Sequence, residues 1–587
     1  MERLEKYLSR NWLCCGFIAL FTLAVWGQTI GYGFVWDDDI LVARNPSIRS
    51  FRNLPAIFTR VEAQSQESAP SFRPIRTAFY AVLYAVEGQE TPRPWIYHLS
   101  NVLWHAAAAV LLFLVALRLW ERLTGKLILG IRVAALLVAL GFAANPANSE
   151  SVCWIKCLDD LMAGVFVLAS AYSLLQWNGG WRRLVMPLVW FFLASASYES
   201  AVPFAAVAFL LFYGFHRLPW RKCVTLTIPF LAVAAFYVGW RQIVIGRASQ
   251  CAPLSGSYGQ TLIDMFPVAP QYLRLLCGIP PFCIDYNYLV DEPPYRVFSG
   301  AVLGGVALVV LWGGLTVGLW WNEFWLPAAG RQWRRSDETP LRGGVMAAFG
   351  LAWIGLFLLP VSNLVPMMQF MAERFLYLPM MGFLLAASGV LLSFSRPRWV
   401  VAGAATVIAL WAGISLDRMT IWQDGLNLFV RTELEHPGIR RVQQNAVSAI
   451  YNLPQMQPLF PDYRKTGSVR MADSLTPAEG EAIIETLEKA RQLFPTNALL
   501  TTDLAFADAK VGRWQDAVAL AKLAVQQKSD SAQYWLNLAS MLLATGNPSE
   551  AKEPCAQALR LKPDFAEAKQ LQLRIESRPT SQPKTGK

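Results

Sequence analysis

The first 420 residues carry eleven apolar stretches, near 12–31, 96–119, 127–145, 158–177, 183–198, 201–216, 223–240, 298–321, 343–364, 375–395 and 399–416. A helix needs about 20 such residues to cross the hydrocarbon core of a bilayer. In lipid every backbone polar group must be satisfied within the segment, and continuous apolar runs satisfy it as helices. The sequence therefore predicts an all-α fold with a polytopic membrane domain. The first stretch reads as a retained span. It is too long for a cleaved leader, and no small-x-small site follows before Tyr32. Only residues 197–200 separate the fifth stretch from the sixth.

Charge is distributed to match. Of 587 residues 54% are hydrophobic and 16% charged, against about a quarter charged in soluble domains. The deficit lies before residue 420. A net charge of +11 would suggest nucleic acid in a soluble protein. Here the basic residues sit between apolar stretches, so membrane topology accounts for them and no nucleic-acid partner is expected. One alternate set of connections holds Arg3, Lys6, Arg10; Arg118, Arg122, Lys126; Arg182, Arg183; Arg217, Arg221, Lys222; Arg331, Arg334, Arg335; and Arg396, Arg398. The positive-inside rule makes that set cytoplasmic. The other set then faces out, together with everything after residue 416. It holds Asp37, Asp38, Asp39, Glu150, Glu199, Asp285 and Glu373, with Asp160 just inside the adjoining span. These acids did not set the topology, so their collection on one face independently points to a site there.

The C-terminal segment repeats. Ala505, Gly512, Ala517 and Ala524 recur 34 residues later as Ala539, Gly546, Ala551 and Ala558. Ala490 and Pro495 close an earlier unit and Pro563 closes the last. Small residues where two helices cross, with Gly at the turn, form the tetratricopeptide pattern. The expected layout is a membrane domain over 1–420, a linker over 421–480, repeats over 481–577 with a capping helix at 566–577, and a disordered tail over 578–587. A repeat stack offers a concave face to an extended peptide or protein; a scaffold packed on the membrane domain is the plainer alternative.

Several polar positions carry chemistry. Residues 34–39, Phe-Val-Trp-Asp-Asp-Asp, follow the first span. Acids at a membrane edge are costly unless solvated or engaged. Such a run suits a general base for an acceptor hydroxyl, a site for a divalent cation, or a solvated turn. Arg73, in Phe-Arg-Pro-Ile, suits a lipid phosphate or a snorkelling position. Asn145-Pro146 opens a polar stretch that runs to Asp159 and Asp160. Glu199 lies between two apolar runs. Glu373 and Arg374 sit side by side, where mutual neutralisation is the plain reading. The nine cysteines show no ligand spacing: Cys153 and Cys157 suit packing, and Cys277 and Cys283 could bridge across a Pro-rich loop. His98 and His105 share a helix face and read as interior histidines.

Taken together, these segments resemble the transmembrane and tetratricopeptide-repeat O-mannosyltransferases and their bacterial relatives, within the multi-span glycosyltransferase C superfamily. The resemblance rests on residues 34–38, 72–74, 145–155, the Glu199 turn, 281–286, 372–379, and Arg418-Met419-Thr420-Ile421-Trp422-Gln423-Asp424 leading to the repeats. It covers nearly the whole chain in order. It implies a glycosyltransferase, specifically a hexosyltransferase, with a polyprenyl-phosphate sugar (mannose or a similar hexose) as donor. The acceptor is a hydroxyl, brought on a protein by the repeats. It further implies that Asp37 and Asp38 are the catalytic acids, one of them the base. Arg73, Asp160, Glu199, Glu373 and Arg374 are then donor- or acceptor-binding residues. A divalent cation, Mg or Mn, held at Asp37 and Asp38 stays open.

The pattern is broken twice. Relatives carry Gly-Arg where this chain has Cys157 and Leu158, and Lys where it has Tyr198; Lys156 is the nearest substitute cation. Few Asn-x-Ser/Thr sites point to a bacterial inner membrane with the site and repeats in the periplasm; in a eukaryote the equivalent is the lumen of the endoplasmic reticulum. The rival readings are a non-enzymatic membrane scaffold, a transferase of lipid-linked oligosaccharides, and a transporter. The last would be expected to show inverted repeats, which are not visible.

Overall fold

In the computed structural model the described residues are 8, 10–63, 71–89, 91–246, 251–286, 295–321, 343–394, 397–436, 439–451, 453, 456, 458–459 and 476–577. Arg3, Lys6, Arg331, Arg334, Arg335, Arg396, part of the expected linker (chiefly 460–475) and the expected tail lie outside them. The described residues form helices and loops and no strand. The chain divides into two units, 1–428 and 429–587.

Among the described residues, eight helices of the first unit are long and apolar enough to cross a membrane, and the bent pair Leu129–Ala144 and Pro146–Cys153, taken as one span, makes a ninth. The bend of 49° falls at Asn145-Pro146. Pro146 lacks the N–H that would continue the helix, and the Asn145 side chain instead accepts from the Ala147 N–H at 2.9 Å. The two remaining expected spans are shorter than the sequence suggests. Val185–Ser197 has 13 residues, a rise of about 20 Å, and Glu199–Phe215 is a short apolar helix too. The break at Tyr198, Pro203 and a π turn over Leu211–Phe215 divides what reads in sequence as two full-length apolar runs.

The helices sort by burial. Ile155–Gln176 is central, with 83% of its apolar window buried, whereas Gly300–Trp320 and Arg398–Trp422 are 11% buried and present apolar side chains outward, as lipid-facing helices must. The end of Leu129–Ala144 is a junction. Its last carbonyls lack intrahelical donors, and Trp26 Nε1 donates to Ala143 at 2.7 Å while Ser415 Oγ donates to Ala144 at 2.8 Å.

Helices Gly343–Leu358 and Tyr377–Leu391 meet along a glycine seam of Gly343 and Gly350 against Gly382 and Gly389. A methyl on Gly382 would lie 2.7 Å from the Gly350 carbonyl oxygen and from the Trp353 ring, and one on Gly350 would run into the Gly382 and Ala386 backbone. Small residues let membrane helices approach this closely. Gly350→Ala is expected to cost about 1–3 kcal/mol through overpacking and to cut the monodisperse fraction in detergent. Gly413→Ala, where no atom lies within 4 Å of the added methyl, should not.

The second unit contains the repeats as antiparallel helix pairs from Pro477–Leu493 to Ala566–Glu576. Every alanine of the 34-residue period is buried, from Ala505 to Ala558, and Gly512 and Gly546 take φ of 86° and 82° at the turns, a region that favours glycine. Thr476 and Glu479 form a capping box. Among the described residues the repeats bury Asp508 and Asp503, and the Tyr451 hydroxyl donates to Asp503. Burial raises its carboxyl from 3.8 to about 7, against the pull of that hydrogen bond. Between these values the folded unit keeps a proton that the unfolded chain has lost. Stability of this unit should therefore fall with rising pH by roughly 1.4 kcal/mol per unit, and level off above 7. Urea unfolding of the full chain, followed in the repeats, should show this slope up to about 7 in wild type; in Asp503→Asn only the part below about 6, which comes from the buried Asp508, should remain.

Candidate functional site

The outer connections converge at one end of the helical unit. Asp37 and Asp38, alike in sequence, are placed differently. Asp38 is fully buried. Its Oδ2 accepts from the Val35 N–H at 3.1 Å and its Oδ1 from the Lys156 N–H at 3.0 Å, so it ties the first outer loop to the approach to Ile155–Gln176. Burial pushes its carboxyl well above the usual range, against those two donors. That proton affinity alone would suit a base, yet both oxygens are already committed. Asp37 forms an ion pair with Lys156 and keeps 17% of its side chain exposed. Before it, Trp36 holds φ at 53°, strained for a bulky residue, with its ring stacked 4.7 Å from Trp154. Asp39 turns aside to Arg44.

Two guanidinium groups flank this point. Arg73 pairs with Asp159, reaches Glu199 at 3.3 and 3.4 Å, and covers the Tyr198 ring at 4.4 Å. Arg374 pairs with Glu150 and donates to Gln369, and it packs over Trp154 and Phe375. Asp160 is buried among these groups with no ion pair or side-chain hydrogen bond among the described residues. Glu373 does not neutralise its neighbour. Its carboxylate is buried and takes the Arg418 guanidinium at 2.7 Å, the Cys283 N–H at 2.9 Å and the Tyr286 hydroxyl at 3.0 Å. Two neighbours in sequence thus belong to two separate ion pairs.

The chain leaves the helical unit at this same end. Gly33 N–H donates to the Gln423 carbonyl at 2.9 Å, and Trp422 stacks on Trp154 at 5.9 Å. Of the expected cytoplasmic connections, those at Arg122 and Arg217 meet at the other end, where Arg122 donates to Leu175 and Trp177 and Arg217 to Leu123.

A tetratricopeptide-repeat family model matches residues 509–575. The protein O-mannosyl-transferase TMTC3 of Mus musculus is 22% identical over 611 residues, covering 92% of this chain and 62% of its own length. Its Homo sapiens counterpart gives 22% over 620 residues, 93% and 63%. Tmtc2 of Drosophila melanogaster is 28% identical over 311 residues, 51% of this chain and 28% of its own. The chain is a distant relative of the TMTC proteins. It spans less than two thirds of the length of each of these three. Among solved structures, the APC/C hetero-tetramer Cut9-Hcn1 aligns at a TM-score of 0.19 and 12% identity, too low to bear on the fold.

The two departures from the TMTC-like pattern have structural counterparts. Lys156, two residues before Leu158, delivers its ammonium to Asp37. Tyr198, in place of a cation, puts its ring against Arg73. Arg76, Glu150 and Asp159 belong to the site although the sequence marks no role for them; Glu150 and Asp159 stand out as acids, and Arg76 lies one helical turn from Arg73. His98 and His105 are interior, bonded to the Gly33 carbonyl and the Tyr377 hydroxyl. Cys277 and Cys283 do not bridge; both are free thiols. Among the described residues no group of three or more His, Cys, Asp or Glu is placed to hold a metal. As arranged, Asp37 and Asp38 present Lys156 and two amides with their oxygens rather than converging on a cation.

Proposed function

We propose that this chain is a membrane glycosyltransferase that moves a hexose, mannose or a close analogue, from a polyprenyl phosphate to a hydroxyl on a protein. The observation that carries the reading is the meeting, at one end of the helices, of a partly exposed acid with two arginines, in a relative of proteins named O-mannosyl-transferases. The acceptor hydroxyl gives its proton to Asp37, which Lys156 holds beside it. The oxygen attacks the anomeric carbon from the face opposite the phosphate. The carbon–oxygen bond to phosphate breaks, its electron pair stays on the phosphate, and configuration inverts. Charge grows on that leaving oxygen, where Arg73 and Arg374 supply fixed donors. Asp160 and Glu199 border the same space and orient sugar or acceptor.

We place the site and the repeats on the outer face, the periplasm in a bacterium or the lumen in a eukaryotic cell, with the repeats presenting the acceptor protein. The exit of the chain beside Gly33 supports a shared compartment. The test compares glycosylated outer-face proteins between wild type and deletion strain, with reporters fused in the 32–94 loop and after residue 577. Loss of glycopeptides on deletion, restored by the wild-type gene, is expected. An unchanged glycoproteome would favour the scaffold reading, and reporters on opposite sides would end the shared-compartment argument.

A further inference from the structure

One buried cation has no part in the mechanism above. Arg76 is wholly inaccessible and among the largest fully buried side chains of the chain. Its Nη1 donates to Asp159 Oδ2 at 3.1 Å, the oxygen that also receives Arg73. Its Nε and Nη2 meet no acceptor among the described residues. An arginine retained for stability alone would be expected to satisfy more of its five donors, because each orphaned buried donor costs free energy. Replacing a buried charge by an apolar side chain of similar volume is often neutral or stabilising. Asp159 would keep Arg73 as a partner, so Arg76 is not needed to neutralise it.

What Arg76 does supply is a second anchor for Asp159. The remaining Asp159 oxygen accepts from the Asp160 N–H at 2.9 Å, at the start of Leu158–Gln176. The carboxylate is therefore fixed from three directions and in turn fixes one edge of Arg73. The other edge, Nε and Nη2, faces Glu199 at 3.4 and 3.3 Å, whose side chain is 33% exposed. Arg73 thus has one locked edge and one looser edge.

We infer that Arg76 is a positioning residue: acting through Asp159, it holds Arg73 so that its Nε–Nη2 edge is presented to the phosphate of the lipid-linked donor. The inference rests on the transferase reading. Arg76→Met should melt no lower than wild type in detergent. Its KM for undecaprenyl-phosphate-linked mannose should rise roughly tenfold, a coupling ordinary between groups of one network, and kcat should fall too, because Arg73 also meets the charge that grows on the leaving oxygen. Arg76→Lys should recover most of the loss. In an Asp159→Asn background Arg76→Met should have no further effect on KM.

An unchanged KM, a lowered melting temperature with unchanged KM, or an equal KM effect in the Asp159→Asn background would each overturn the positioning role. Should Arg76→Met not fold, Arg76→Gln, which also removes the cation, serves the same cycle, and a KM equal to wild type overturns the role. A wild-type protein that neither transfers sugar nor is stabilised by undecaprenyl phosphate fells the transferase reading and this inference with it. An active wild type with an indifferent Arg76→Met fells the inference alone.

Discussion

Asp37→Asn should lower sugar transfer by about 10²- to 10⁴-fold, the usual contribution of a positioned general base, and leave the protein folded. The side chain is partly exposed and pairs with Lys156 at the surface of the site. The amide keeps the shape and loses the ability to take a proton. Asp38→Asn should behave differently. Its two oxygens accept from two amides in a buried setting, and an NH2 facing either N–H leaves a buried donor unsatisfied, at about 1–3 kcal/mol. Reduced yield and lowered melting temperature are therefore expected there, with transfer falling in step with folded protein. The assay is transfer from undecaprenyl-phosphate-linked mannose in membranes, normalised to folded protein. Full specific activity in Asp37→Asn would remove that acid from the mechanism. Full folding with lost activity in Asp38→Asn would exchange the two roles.

This division was not legible in the sequence. Adjacent acids share every compositional property, and only the fold shows that Asp38 turns into the protein while Asp37 meets Lys156. The repeats were legible down to single alanines because their packing is local, each unit touching the next at a fixed period. The helical class was legible from apolar length. The short pair after Val185 was misjudged in length, since hydropathy does not register the break at Tyr198 or the π turn before His216. The glycine seam was invisible because its two halves lie about 40 residues apart. Partners of the site residues are more distant still: Arg374 finds Glu150 at a separation of 224 residues, and Arg73 finds Glu199 at 126. A single sequence exposes which charges face one side of a membrane. It does not expose which of them pair.

Glu373 is the position where that distinction has its largest effect on the fold. Grouped with Arg374 it reads as a binding residue, but its surroundings make it a structural junction. Glu373→Ala would leave Arg418, 6% exposed, as an uncompensated buried cation, and would orphan the Cys283 N–H and the Tyr286 hydroxyl. Breaking one partner of a buried pair costs about 3–5 kcal/mol, a large part of the total for most proteins. The expected result is near-complete loss of monodisperse protein in detergent, not a folded, inactive enzyme. The joint change Glu373→Gln with Arg418→Met should recover much of the yield. It removes both charges together and leaves an amide oxygen for Cys283 or Tyr286. A pair that acts structurally must show this non-additivity, and its sign separates it from Asp37, where no second change should restore transfer. If Glu373→Ala melts with wild type and only transfer is lost, then Glu373 faces the substrate, and the junction between the 283–286 loop and the end of Pro397–Arg418 is held by something other than this carboxylate.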